Sequence, residues 1–115
     1  MYIIIFTRTN FHNSLSDHME QEKLCRERLS AAGFSTDTAV VLRDPTVQLP
    51  FKMTSPAVDA LRHYVISQQA QVVAAATAHH LGSHTEETQA LLRLMRSNGV
   101  HGLFEFELDV NDDLN

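Results

Sequence analysis

The sequence is short of several things at once, and each shortage removes a class of protein. It has a single cysteine, Cys25, which rules out an internal disulfide and any cysteine-based zinc cluster. A reducing, cytoplasmic setting is therefore the expectation. Its 9 Lys and Arg are outnumbered by 14 Asp and Glu, for a net charge of −5. A dedicated DNA- or RNA-binding module would carry the opposite excess, so DNA binding is expected to be weak or absent. With only 4 glycines and 3 prolines, the chain shows no low-complexity tract, and no internal repeat is visible. Long apolar runs are missing too. Met1 to Phe6 is too short for a signal-peptide core and is followed at once by Arg8. The run Val72 to Ala76 is five residues, against the ~20 needed to cross a bilayer. A soluble protein with no membrane partner is expected.

What is present describes one ordinary globular domain. At 115 residues the chain falls within the commonest domain size, and folding at this length buries roughly 65% of the surface. Hydrophobic residues make up 43% and charged residues 20%, a balance that excludes wholesale disorder.

Apolar runs and helix-terminus signals then alternate along the chain. Tyr2 to Phe6 is β-branched and aromatic, as in a strand buried on both faces. Thr7 to Ser16 is polar and reads as a loop. A helix opens near Asp17 and runs over 17–32, with Cys25, Leu29 and Ala32 on one stripe and Gly33 as its stop. The second strand is 38–42, followed by a long loop from Arg43 to Thr54 that contains Pro45 and Pro50. Ser55-Pro56 caps and starts a helix over 56–68, with Asp59 near the positive end of its dipole and Val58, Leu61 and Val65 facing inward. The stretch 71–77 is strand or helix on propensity alone, because Ala74, Ala75 and Ala76 favour helix. Its seven residues and the polar loops on either side favour a strand. Ala78 to His84 is a loop. Ser83 and Glu86 have capping-box spacing ahead of a helix over 85–98, whose stripe is Thr88, Leu91, Leu92 and Met95. Gly99 ends that helix, and 100–106 is the fourth strand. The β-α-β-α-β-α-β order predicts an α/β three-layer sandwich around a four-stranded, mainly parallel sheet. The domain is assigned to 1–107, with 108–115 as an acidic tail expected to fray.

In open parallel sheets the chemistry gathers in the loops at the carboxyl ends of strands. Those loops here contain Phe6-Thr-Arg-Thr-Asn10 with Gln21 in the next helix, Asp44 followed by Ser55-Pro-Ala-Val58, and His79-His-Leu-Gly-Ser83 before a helix and Gly99-Val100. In order and spacing this resembles the catalytic domain of resolvase/invertase serine recombinases, a resolvase-like fold, over residues 1–107. That family has Tyr-Ala-Arg-Val-Ser after its first strand, Arg-Pro-Gly-Leu opening a helix, and Asp-Arg-Leu-Gly-Arg after a later strand. The resemblance implies a serine nucleophile that attacks a DNA phosphate, assisted by several arginines. On this alignment the nucleophile position is Asn10, the helix-opening arginine is Ser55, the Asp is His79, and the two later arginines are His80 and Ser83. Only Arg8 keeps its expected type. The expectation is a degenerate site without strand-transfer chemistry, in a domain that acts through a protein partner or by self-association. On this reading the family's long helix and DNA-binding domain after the fourth strand are not expected here.

Other residues are weighed on their own chemistry. Arg8 fits an anion ligand or, more commonly, an internal partner of a carboxylate such as Asp44. Ser14 and Ser16 are loop or cap serines, with Ser14 as the alternative of a displaced nucleophile. His79, His80 and His84 have the chemistry of a metal or proton-transfer site, but adjacent residues rarely point at one metal and no fourth ligand is near. They read as polar loop histidines, and no cofactor is expected. Cys25 reads as a core thiol. Met19, Phe51 and Met53 offer an exposed patch or, more commonly, core packing.

Overall fold

The computed structural model describes residues 1–8, 15–44, 55–76 and 85–104, and for 15–17 and 85 the backbone alone. Within them the elements alternate as β1 (Tyr2–Arg8), α1 (Leu15–Ala31), β2 (Val40–Asp44), α2 (Pro56–Ile66), β3 (Ala70–Ala75), α3 (Thr85–Ser97) and β4 (His101–Leu103). The strands form one sheet in the order β2-β1-β3-β4, and every pairing is parallel. This is the α/β sandwich that the sequence predicts.

Strand alternation sorts the core. Successive residues of β1 point to opposite faces. Ile4 and Phe6 join Val58, Leu61, Val65, Leu91, Leu92 and Met95 in a core roofed by α2 and α3. Ile5 joins Cys25, Leu29, Val72 and Ala74 under α1. Ile4, Ile5 and Phe6 are fully buried, as their unbroken apolar run requires.

The ambiguous alanine-rich segment is a strand: Val72, Val73, Ala74 and Ala75 pair with Ile3, Ile4, Ile5 and Phe6 of β1. Burial explains why propensity loses. The segment lies between β1 and β4, and Ala74 and Ala75 are fully buried. Their small side chains allow helices to pack close on both faces.

Several boundaries differ from expectation, each for a local reason. The expected loop from Thr7 begins late, because Thr7 and Arg8 continue β1. Likewise Arg43 and Asp44 belong to β2, which starts at Val40 rather than at 38. Both strands extend because their polar residues find partners, Arg8 with Asp44 across the register and Thr7 and Arg43 with His18 and Glu22 of α1. Ser16 lies inside α1, so it is not a loop serine. Ala32 is exposed and outside α1. There Gly33 adopts a φ of 92°, and Phe34 donates its N–H to the Leu29 carbonyl at 2.9 Å. This Schellman closure lets Phe34 pack against the α1 core in place of Ala32. The helix expected over 56–68 stops at Ile66, because Gln69 N–H closes it on the Tyr64 carbonyl at 3.0 Å.

At the far edge, β4 is shorter than 100–106. Val100 gives its N–H to Met95 at 2.9 Å to close α3, and so it does not extend the pairing with β3. Phe104 is buried beyond the strand end, with ring carbon Cε2 2.5 Å from where a Gly102 Cβ would lie. Residues 105 and 106 lie outside the described set, as do the tail, Ser83, Phe51 and Met53.

A Cβ on Gly33 would meet nothing within 4 Å, so replacing it tests backbone conformation alone. Gly33→Ala should cost about 1–2 kcal/mol, the left-handed penalty for a residue with a side chain. Urea unfolding should show this as a lower midpoint with an unchanged slope.

Candidate functional site

The carboxyl end of β1 is where apolar burial gives way to polar chemistry. In a sheet ordered 2-1-3-4, the crossovers from β1 to β2 and from β3 to β4 run in opposite directions. The crevice outside the strand ends between β1 and β3 is then the expected ligand position. Alternation continues through the last two residues of β1 and sends their side chains to different faces.

On the α1 face, Thr7 is fully buried, and its Oγ1 is 2.7 Å from Nδ1 of His18. His18 lies in the first turns of α1 and is itself buried. One turn later, Gln21 grips Arg8 through the backbone. Its side-chain oxygen accepts from the Arg8 N–H at 2.9 Å, and its Nε2 donates to the Arg8 carbonyl at 2.6 Å. The β1–β3 pairing ends at Phe6↔Ala75, so the Gln21 amide stands in for a further rung of β3. Glu22 accepts from Arg43 of β2 at 3.0 Å and from Arg26 at 3.0 Å. Burial pushes the Glu22 carboxyl up, but the hydrogen bonds and charges of Arg43 and Arg26 outweigh it and leave its pKa below the usual value.

On the α2/α3 face, Arg8 pairs with Asp44 at 2.6 Å, with side-chain exposures of 17% and 3%. Its guanidinium also lies 5.8 Å from the Phe6 ring centroid, within cation–π range. Ser55 caps α2, accepting from the Val58 N–H at 3.1 Å, and its side chain hydrogen-bonds Asp44. Burial raises the Asp44 pKa; Arg8, the Ser55 hydrogen bond and the His18 charge pull it down, while the Glu87 charge adds to the rise. With the folded pKa above the unfolded one, this carboxyl's contribution to stability is full below the unfolded pKa. It is lost as pH rises through the folded pKa.

Of the residues singled out in the sequence, the structure therefore links Arg8, Asp44 and Ser55 in one cluster, and the internal partner expected for Arg8 is Asp44. Asn10, Ser14, His79, His80, Ser83 and His84 lie outside the described residues. Among the described residues no group of His, Cys, Asp and Glu is placed to hold a metal ion. Cys25 is fully buried, and burial, with a smaller push from Glu22, drives its pKa up to about 11 against the pull of Arg28. Met19 is exposed. The sequence reading missed Thr7 and His18. The signal was there: His18 precedes Cys25 and Leu29 by seven and eleven residues, on the same helical stripe.

The fold is an α/β architecture similar to that of serine recombinase catalytic domains. The C-terminal catalytic domain of ISC1926 TnpA, an IS607-like serine recombinase, matches with a TM-score of 0.73 at 17% identity, over 99% of this chain and 78% of that one. The N-terminal catalytic domain of TP901-1 integrase matches with a TM-score of 0.69 at 18% identity, over 93% of this chain and 78% of that one. A serine recombinase from Sulfolobus solfataricus gives 0.67 at 16%, over 98% and 76%. No protein-family model and no curated protein matches the sequence. At these identities the likeness is one of fold. No helix among the described residues is long and apolar enough to cross a membrane.

Two measurements check the site's construction. Gln21→Leu leaves the Arg8 N–H and carbonyl without their amide partner and should cost about 1–3 kcal/mol in chemical denaturation. Cys25 should resist iodoacetamide at pH 8 in the native protein and react fully in denaturant, because a buried thiol carries little thiolate.

Proposed function

We propose that this chain is a serine-recombinase-like domain without strand-transfer activity, serving as an interaction or regulatory module for a protein partner or a second copy of itself. The observation that carries this reading is the Arg8–Asp44 pair. Arg8 is the one cation that the resemblance brings to the site, and at 2.6 Å its charge is balanced by a buried carboxylate of the same chain. Catalysis of phosphoryl transfer needs cationic donors aimed at the developing charge of a substrate.

Three further observations support it. Ser55, aligned with a helix-opening arginine, acts as the cap of α2. Asn10, aligned with the nucleophile, carries an amide where a hydroxyl is required. The net charge of −5 works against a phosphate backbone as well.

Incubation with supercoiled plasmid tests the reading. The expected outcome is no nicked circle and no protein–DNA adduct on a denaturing gel. Duplex binding at ~0.15 M salt should be no tighter than roughly 10⁻⁴ M. An adduct that disappears in Ser14→Ala would overturn the proposal and establish a working recombinase with a displaced nucleophile.

A further inference from the structure

We draw no further inference here: the strongest candidate, the exposed apolar patch at the amino end of the sheet carried by Met1 and Tyr2 beside Tyr64 of α2, is an unpartnered face, and nothing in the structure shows what covers it.

Discussion

The two-sided burial of β1 is the constraint on which the rest of the molecule depends. Ile4 and Phe6 on one face and Ile5 on the other are fully removed from water, each contributing about 1.5–3 kcal/mol by area. A strand committed in this way must have helices on both sides, and the chain supplies α1 to one face and α2 with α3 to the other. The same alternation continues past the apolar run. It delivers Thr7 to the α1 face and Arg8 to the opposite one, so the polar site inherits its geometry from the core beneath it. Gln21 then fixes the height of Arg8 through both backbone groups, leaving the side chain to be placed by Asp44.

Most of this architecture was legible in the sequence because apolar patterns of two and 3.6 residues report burial directly. Val58, Leu61 and Val65 were identified as the inner stripe of α2, as were Leu91, Leu92 and Met95 for α3, and all six are buried. The errors fall where polar residues are satisfied over a distance in sequence. Arg43 and Asp44 looked like loop residues because nothing local pairs with them. Their partners are Glu22 and Arg8, respectively 21 and 36 positions earlier. His18 escaped notice for the same reason, since its hydroxyl partner Thr7 precedes it by eleven residues. A stripe counted only in apolar letters begins too late when its first member is a hydrogen-bonded imidazole. Ala32 shows the converse: its letter fits the stripe, but the closure at Gly33 had already taken the backbone elsewhere.

On the proposed reading the site has lost its chemistry while the fold around it persists, and two of the described residues supply a physical account. Ser55 is placed by the resemblance where a recombinase has arginine, yet it caps α2, a role worth about 0.5–2 kcal/mol relative to a residue that cannot cap. Arg8 and Asp44 are bound by a different logic. Truncating one member of a buried pair leaves an uncompensated charge and typically costs 3–5 kcal/mol, whereas keeping both is close to neutral. On the proposed reading, Arg8 then needs no substrate to account for its presence. The result is a cation at the carboxyl edge of a parallel sheet whose charge is balanced by a buried carboxylate of the neighbouring strand.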